Sequence, residues 1–438
     1  MIEAYRFRLY PNDEQKVLLA KHFGSVRFIY NWALNYSQEQ YKQNNKFLGW
    51  QTLATCDAFH KLKSDNEWLR EVNSQSVCNS VAHLGRAFDK FFRGQNGFPK
   101  YKSKHNHIQS FEVPAGLKID FRAKKIQIPK FIKTKKCDNR LKFVLSRKVA
   151  KGKYGTATVS RNACGQYFIS FIVHTKDEAP EFNKEISVRN SLGIDFGLKH
   201  FLNFSDGTKI DSPEFFKSTL DKLRWEQRKL SRKQKGSKNK EKQRLKVARV
   251  HQRISDQRND FLHKLTTRLV KDSQFDVFCL EDLNLKGMSK LWGRKVHDIS
   301  YGAFQRMLEY KCVKYGKKVI KIGRFEPSSQ ICSRCGHIKK MPLEERMYEC
   351  PHCGASLDRD TNAAINIRSF ALRDTIKNLS TDGTSGINAC GVGGSGCRDA
   401  SRGNETTDCE AGTFPAISGN RSHRSGCVVQ KENHKAHQ

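Results

Sequence analysis

The sequence predicts a multidomain chain of mixed α+β class, and three observations support this. Its 438 residues exceed what a single hydrophobic core usually supports. Residues 12–107 have mainly helical periodicity, whereas residues 110–176 contain short alternating or apolar runs typical of an antiparallel sheet or barrel. Later, two apolar strands each end in an acidic residue, and two CxxC pairs follow. The chain therefore divides into regions of different architecture.

The first strand is separated from the others by helices. Residues 5–9 alternate apolar side chains with arginines, which predicts a strand. Asn12, with Gln15 three residues later, has the pattern of a helix capping box. We expect the helices to be an insertion in a strand-rich domain.

A second helix is predicted from Asn73 to Phe92. Apolar residues recur on one of its faces and polar residues on another. The polar face and the following basic run are either solvated or contact nucleic acid, and amide side chains such as Gln75 and Asn79 can pair with adenine edges. The candidate contact residues are Gln75, Asn79, Arg86, Lys90, Lys100, Lys102 and Lys104.

The net charge indicates a polyanionic partner. Eighty lysines and arginines oppose 44 acidic residues, a formal charge of +36, and such a surplus favours nucleic acid. No apolar run is long enough to span a bilayer, so a membrane partner is not expected. The first residues lack the pattern of a signal peptide, and most of the fourteen cysteines are scattered, which favours a reducing cytoplasm.

Two CxxC pairs predict a structural zinc site. Cys332 and Cys335 form the first pair, Cys350 and Cys353 the second, and a glycine follows each pair. Glycine permits the tight turn that directs both sulfurs to one metal ion. Four thiolates complete a tetrahedral shell, so the nearby histidines are expected at the surface.

Three acidic residues are candidates for a catalytic metal site. Asp195 in GIDFGL and Glu281 in FCLEDLNLKGM each end an apolar strand, and Asp360 lies in DRDTNAAINI. Carboxylates can hold Mg²⁺ ions about 4 Å apart for phosphodiester cleavage. Asp358 is the alternative to Asp360 for the catalytic role. We favour Asp360 because Asp360 immediately precedes the TNAAINI helix.

Neighbouring residues have secondary expectations. Alternation turns Asp282 away from the face of Glu281. Arg359 or Asn362 is expected to orient Asp360 or to contact phosphate. Small residues in TNAAINI predict a helix packed closely on a sheet.

The remaining segments complete the organisation. Residues 215–272 are predicted to form a hairpin of two long basic helices. Beyond Leu372 the sequence is rich in Gly, Ser, Thr and Asn, with little apolar periodicity, and is predicted to be disordered.

These motifs, in this order, closely resemble the TnpB proteins of bacterial and archaeal insertion sequences, which are similar to compact type V CRISPR effectors. YRFRLYP, FIYNWAL and FDKFFRGQNGFPKYKSK extend the resemblance to about residues 1–370. It implies five regions: a wedge β-barrel (1–11 and 108–186), a helical recognition lobe (12–107), a RuvC-like ribonuclease-H fold (187–330 and 355–372), an inserted zinc ribbon (331–354) and a low-complexity tail (373–438).

The resemblance implies an RNA-guided DNA endonuclease in a bacterial or archaeal cytoplasm, associated with the nucleoid when bound to DNA. A guide RNA from the transposon end pairs with double-stranded target DNA beside a short transposon-adjacent motif. Asp195, Glu281 and Asp360 match the catalytic acids that bind Mg²⁺, for which Mn²⁺ can substitute. The four cysteines match the ligands of Zn²⁺, and one monomer per RNA is favoured.

Three other functions remain open on the sequence alone. One is a transposase that cuts and joins transposon ends without a guide. Another is a cleavage-inactive RNA-guided repressor, although none of the three acids is missing. The last is a zinc-ribbon nucleic-acid-binding protein in which the acids are incidental.

Overall fold

A seven-stranded antiparallel sheet organises the N-terminal half of the chain. The computed structural model describes residues 1–45, 47–106, 108–131, 138–197, 199–213, 215–283, 287, 300–324, 326–342 and 344–381, with only the helical backbone at 215–218 and 374–381. The strand order is β2-β6-β7-β1-β5-β4-β3. The strands are β1 (Ile2–Tyr10), β2 (Gln109–Val113), β3 (Lys118–Asp120), β4 (Lys125–Gln127), β5 (Arg140–Val144), β6 (Lys153–Arg161) and β7 (Tyr167–His174).

The first strand lies in the middle of this sheet. β1 pairs with β7 along its length, from Ile2 opposite His174 to Leu9 opposite Tyr167, and with β5 on its other side. The prediction that residues 5–9 join the later strands is confirmed, and residues 11–108 lie between two strands of one sheet.

The sheet is open, so the prediction of a closed barrel is wrong on this point. In the described part of the chain, β2 and β3 are the end strands and do not pair with each other. A helix covers the apolar face instead: Leu19, Phe23 and Val26 share one core with inward side chains of the strands. Because the helix already buries that face, closure is not needed to exclude water from it.

The intervening helices form a second core. Asn12 and Gln15 make the predicted capping box at the start of the first helix, and Asn73 caps the fourth. Val77, Val81 and Leu84 are buried against the first helix and its neighbours, as the apolar periodicity predicts. The elements are α1 (Asp13–Asn44), α2 (Trp50–Thr55), α3 (Asp57–Asp65), a 3₁₀ helix (Glu67–Glu71) and α4 (Ser74–Phe92).

A five-stranded mixed sheet organises the second half, in the order β10-β9-β8-β11-β12. Its three strands β8, β11 and β12 are parallel, whereas β9 and β10 add to β8 in antiparallel fashion. The strands are β8 (Ser191–Asp195), β9 (His200–Phe204), β10 (Lys209–Asp211), β11 (Val277–Glu281) and β12 (Lys318–Ile322).

Helices cover both faces of this sheet. The predicted basic hairpin is present as α5 (Phe215–Ser231) and α6 (Lys238–Lys271), joined by an apolar seam that includes Leu223 and Val250. The second half of α6 and α7 (Tyr301–Lys314) pack on one face. Ile367 and Phe370 of α8 (Arg359–Thr381) pack on the other.

The last described helix corrects one boundary. We predicted a disordered tail from residue 373, but α8 continues to Thr381, because its apolar residues pack on the sheet and the helix propagates past them. The rest of that segment, with its cysteines, lies outside the described residues. None of the described helices is long and apolar enough to cross a membrane.

Helix α8 approaches strand β8 very closely, as the small residues of TNAAINI predict. A Cβ atom added to Gly193 would lie 2.0 Å from the carbonyl oxygen of Ala364 and 2.9 Å from Cβ of Arg368. Ala364 itself is fully buried. Only glycine at position 193 permits this distance between helix and sheet.

The close approach predicts opposite effects of alanine at two glycines. Gly193→Ala should lower the free energy of unfolding by about 1–3 kcal/mol because the helix must move away from the strand. The control Gly24→Ala lies in helix α1, where an added Cβ has no neighbour within 4 Å. It should stabilise by about 0.5–1 kcal/mol. Thermal unfolding of both variants measures this, and a neutral Gly193→Ala would contradict the packing argument.

Candidate active site

Asp195 and Glu281 lie at the same edge and on the same face of the five-stranded sheet. They end the neighbouring parallel strands β8 and β11, and the preceding residues, Ile194 and Leu280, are register partners. Side chains of register partners share a face, so the next residue of each strand also does. The structure thus brings together two acids that are 86 positions apart in the sequence.

Asp195 has a strongly perturbed carboxyl group. Burial, together with the charges of Glu281 and Asp360, raises its pKa from 3.8 to about 8. Asn203 of β9 opposes this by donating from Nδ2 to Asp195 Oδ2 over 3.3 Å. A carboxyl group in this state has a strong electrostatic preference for a nearby cation.

Glu281 is held by the segment that leads into the zinc ribbon. The hydroxyl of Ser328 donates to Glu281 Oε1 over 2.5 Å. Burial raises the pKa of Glu281, and this hydrogen bond partly offsets the effect. Asp282 next to it is exposed and pairs with Arg324 at 2.6 Å, so it does not join the site, as alternation predicts.

Asp360 enters the site from the first turn of α8. Arg359 lies 3.4 Å and Arg346 4.0 Å from its carboxylate, so the expectation that Arg359 orients Asp360 agrees with the contact. Asp358 has a different role: its Oδ1 accepts from the backbone N–H groups of Asp360 and Thr361. Asp358 is therefore a helix cap.

Lys209 of β10 restrains this cap through a 2.8 Å ion pair with Asp358. Burial raises the pKa of Asp358, but the hydrogen bonds from Lys209 and Thr361 and the lysine charge together lower it below its ordinary value. An aspartate committed to these contacts is less available for a metal ion than Asp360.

The four cysteines form a cluster that could hold a metal ion. Their sulfur atoms all lie within 4.8 Å of one another. Cys332 and Cys353 are 3.7 Å apart, and Cys335 and Cys350 are 3.6 Å apart. Four sulfurs about 2.3 Å from a central Zn²⁺ would be separated by about 3.8 Å, so the cluster fits a tetrahedral zinc site.

The ribbon backbone explains how the sulfurs converge. Gly336 and Gly354 have φ of +77° and +68°, and their N–H groups donate to the carbonyls of Cys332 and Cys350. These are the tight turns that the glycines predict. The second pair lies in the turn of a hairpin formed by β13 (Met347–Glu349) and β14 (Ser356–Asp358).

The two groups of candidate ligands differ in compactness. Among the described residues, only the cysteines form a group of three or more potential ligands close enough to hold a metal ion. The charges of Glu281 and Asp360 act on Asp195, but the oxygen atoms of the three acids are not as closely spaced as the four sulfur atoms. The acids converge on one site without forming a closed cage.

Two asparagines of α8 join the ribbon to the helix. Asn362 donates to the carbonyl of Ile331 over 2.7 Å and accepts from the N–H of Ser333. Asn366 donates to the carbonyls of Ser328 and Ile331, both over 2.7 Å. The expectation that Asn362 orients Asp360 or contacts phosphate is therefore wrong, because its buried amide is used by the ribbon backbone.

The predicted nucleic-acid contacts separate into two groups. Asn79 and Arg86 face Glu112 of β2, at 2.5 Å and 3.5 Å, which ties α4 to the sheet. Lys102 packs over the ring of Tyr30, and burial lowers its pKa. The remaining candidates are exposed: Gln75, Lys90, Lys100 and Lys104.

Several site residues were missed by the sequence reasoning. Asn203 carried a signal, since it is a polar residue within the apolar strand HFLNF and is fully buried. Asn362 and Asn366 lie four residues apart on one helical face, a spacing that could have indicated a shared partner. Ser328 and Lys209 had no local signal, because their partners are distant in sequence.

Comparison with known sequence families matches three parts of the chain. Residues 171–291 match a family, OrfB of IS605, described as a probable transposase, and residues 301–367 match a Cas12f1-like TNB domain. Residues 1–46 match a helix-turn-helix domain, although this segment contains β1 and the single long helix α1.

Curated relatives cover most of the chain. A putative RNA-guided DNA endonuclease of Streptomyces pristinaespiralis is 36% identical over 375 residues, 84% of this chain and 89% of the relative. InsQ of Escherichia coli K12, also a putative RNA-guided DNA endonuclease, is 30% identical over 384 residues, 84% of this chain and 91% of the relative.

A solved structure shares the fold. The Cas12f1 chain from a complex with sgRNA and target DNA superposes with a TM-score of 0.52 at 12% sequence identity. The match covers 84% of this chain and 98% of that one. The likeness concerns the arrangement of elements, at an identity too low to transfer individual residues.

The raised pKa of Asp195 predicts a specific pH dependence of stability. The metal-free folded state retains a proton that the unfolded chain releases, so stability should fall as pH rises from about 4 to about 8. Asp195→Asn removes this titration and should raise Tm at about pH 8 more than at about pH 5. Glu185→Gln, an exposed acid, is the control. Equal shifts at both pH values would contradict the burial argument.

The asparagine contacts predict that α8 and the ribbon are coupled. Asn366→Leu removes the donor to the Ser328 carbonyl and one of the two donors to the Ile331 carbonyl. The loss should cost about 1–3 kcal/mol. Hydrogen exchange should increase at residues 328–335, measured by mass spectrometry. The control Ser369→Ala changes an exposed position of the same helix. Unchanged exchange in the Asn366 variant would show that the ribbon is held by other contacts.

Proposed function

Because the chain belongs to the TnpB family, the OrfB family of IS605-type elements, we propose that it is an RNA-guided DNA endonuclease. The observation that carries the proposal is the convergence of Asp195, Glu281 and Asp360 at one edge of the five-stranded sheet. The pKa of Asp195 is strongly raised there, and that of Glu281 is also raised. Raised pKa values of clustered acids are typical of functional sites.

The sheet supports assignment of the nuclease to the ribonuclease-H-like, RuvC class. Three antiparallel strands, β10, β9 and β8, precede two parallel ones, β11 and β12, in spatial order. Acids at the ends of the central strands β8 and β11 therefore share one edge. We propose these as the catalytic acids, together with Asp360.

The residues of the site fit Mg²⁺, with Mn²⁺ as a substitute. Carboxylate oxygens are its preferred protein ligands, and Asn203 has a buried Oδ1 without a hydrogen-bond partner in the described residues, which can accept from a hydrating water. When bound between these acids and a phosphodiester, Mg²⁺ would supply charge stabilisation and water activation for hydrolysis.

The chain's own residues hold the acids in position. Asn203 donates to Asp195, Ser328 donates to Glu281, and Arg359 contacts Asp360. Each contact fixes a carboxylate whose free side chain would otherwise sample several rotamers. We propose that this alignment, rather than proton transfer by any of these residues, is the protein's main contribution to cleavage.

The charge distribution supports nucleic-acid partners. The α5–α6 hairpin, residues 215–271, has 19 lysines and arginines against five acidic residues, and the whole chain has a charge of +36. We propose that a guide RNA and double-stranded target DNA occupy this basic surface, one protein monomer per RNA. Base pairing selects the target, and protein reads only a short transposon-adjacent motif.

Solvent exposure ranks the candidate nucleic-acid contacts in the N-terminal half. Gln75, Lys90, Lys100 and Lys104 are exposed and are retained as candidates. Asn79 is engaged by Glu112. Arg86 also contacts Glu112, but its side chain is exposed, so it is retained as a candidate. The four cysteines are proposed to bind structural Zn²⁺.

The test is guided cleavage of a randomised library. The protein is co-expressed with transposon-end DNA, bound RNA is sequenced, and plasmids with a randomised motif are incubated with Mg²⁺. We expect a discrete RNA and depletion of one motif class. Asp195→Ala, Glu281→Ala and Asp360→Ala should each reduce cutting by at least about 100-fold, with DNA binding retained.

Asp282→Ala is the matched control, since this exposed acid adjoins Glu281 and should leave cutting intact. Bound RNA without depletion would indicate a guided repressor. Cutting of transposon ends without RNA would indicate a transposase. Nucleic-acid binding without cutting, unchanged in all three acid variants, would indicate a zinc-ribbon binding protein in which the acids are incidental.

A further inference from the structure

A β-bulge changes the direction of side chains beside the proposed nuclease site. In the β9–β10 pair, Lys209 is opposite Asn203 and Ile210 is opposite Leu202, but Asp211 is opposite His200. One residue of β9, Phe201, is therefore extra. A bulge of this kind reverses the alternation of side chains beyond it.

The contacts of the flanking residues identify the two faces of the sheet. Asn203 reaches Asp195, and Lys209 reaches Asp358 at the start of α8. Leu202 and Ile210 point to the opposite face, into the core formed with α6 and α7. Asp211 follows Ile210 and so returns to the face of the acids, and its partner His200 does the same. Without the bulge, His200 would face the core.

His200 also lies at the edge of the sheet where the acids lie. β9 runs antiparallel to β8, with Asn203 opposite Asp195, so the start of β9 is beside the end of β8. The connection is tight: a Cβ atom added to Gly197 would be 2.7 Å from the carbonyl oxygen of His200 and 3.0 Å from Nδ2 of Asn203. His200 therefore lies on the same face and at the same edge of the sheet as the acids.

Asp211 fixes one side of the imidazole ring. His200 Nδ1 lies 2.7 Å from Asp211 Oδ1, and a carboxylate only accepts, so Nδ1 carries a proton. The His200 side chain is 22% exposed, whereas that of Asp211 is 88% exposed. In the described residues, Nε2 has no hydrogen-bond partner. The ring is thus oriented, partly covered and has one free nitrogen.

We propose that His200 is a further active-site residue, which contacts the backbone of the DNA strand lying across the acids. Its Nε2–H donates to a non-bridging oxygen of the phosphate being cleaved or of an adjacent one. A phosphate oxygen only accepts, so the ring is doubly protonated in this contact and lies between two anions, Asp211 and the phosphate. Asp211 is the positioning residue. This inference rests on the proposed nuclease function.

The contact has a clear chemical use at this position. The carboxylates that would bind metal ions also repel a phosphodiester wherever their negative charge is not neutralised. A cationic donor at their edge attracts the same strand and restricts its position. Because the donor is held by Asp211 before DNA arrives, little side-chain entropy is lost on binding.

The test compares three variants as full-length protein–RNA complexes. His200→Ala removes the donor, Asp211→Asn leaves the ring but loosens it, and His200→Arg restores a cationic donor. The matched control is His60→Ala, an exposed histidine on α3. Single-turnover cleavage of a matched DNA duplex, DNA affinity and Tm are measured for each.

We expect His200→Ala to slow cleavage by roughly 10- to 100-fold, as for loss of a charge-assisted hydrogen bond. Asp211→Asn should slow it less, and His200→Arg should restore most of the rate. The affinity for DNA should change little, since many other phosphates are contacted.

The outcomes separate this inference from the function on which it rests. If the wild-type complex does not cut, the proposed function itself fails. If it cuts and His200→Ala cuts equally fast, the inference alone is overturned. Equal slowing by His200→Ala and His200→Arg, accompanied by a lowered Tm, would also overturn the inference. It would show that His200 and Asp211 only stabilise the β9–β10 hairpin.

Discussion

The close contact between helix α8 and strand β8 is the constraint on which the proposed site depends. Gly193 allows the carbonyl of Ala364 to lie where a side chain would otherwise stand. The same strand ends two residues later at Asp195, and Asp360 lies in the first turn of the same helix, four residues before Ala364. The separation of these two carboxylates is therefore set by backbone packing, which is rigid in a well-filled core.

The ribbon that carries the four cysteines is part of the framework of the proposed site. Asn362 and Asn366 bind its backbone, and Ser328, just before the first cysteine, donates to Glu281. A metal ion that orders the cysteine turns would also order these neighbouring carbonyls, because folding and metal binding are linked. This is a physical reason for a cysteine cluster to lie between segments that carry two of the acids.

The proposed site is rich in acidic residues, whereas the chain as a whole is strongly positive. A protein of charge +36 places three acids at one sheet edge, and burial together with mutual repulsion raises the pKa of Asp195 to about 8. The basic surface attracts nucleic acid over distances comparable with the Debye length. In the proposed mechanism the acids act only at contact distance, where bound cations would replace repulsion of the phosphate with attraction.

The sequence by itself determined most of the secondary-structure elements and identified the candidate site residues. Alternation and helical periodicity predicted most strands and helices, and paired CxxC motifs predicted the cysteine cluster, because these patterns arise from local geometry and ligand chemistry. Tertiary structure alone decided the rest. The sheet stayed open because α1 covers it, and Asn362 binds the ribbon because its partner carbonyl is 31 positions away. His200 lies on the same face of the sheet as the acids because a β-bulge at Phe201 of β9 reverses the alternation of side chains. Such outcomes depend on contacts between distant segments, which no local pattern records.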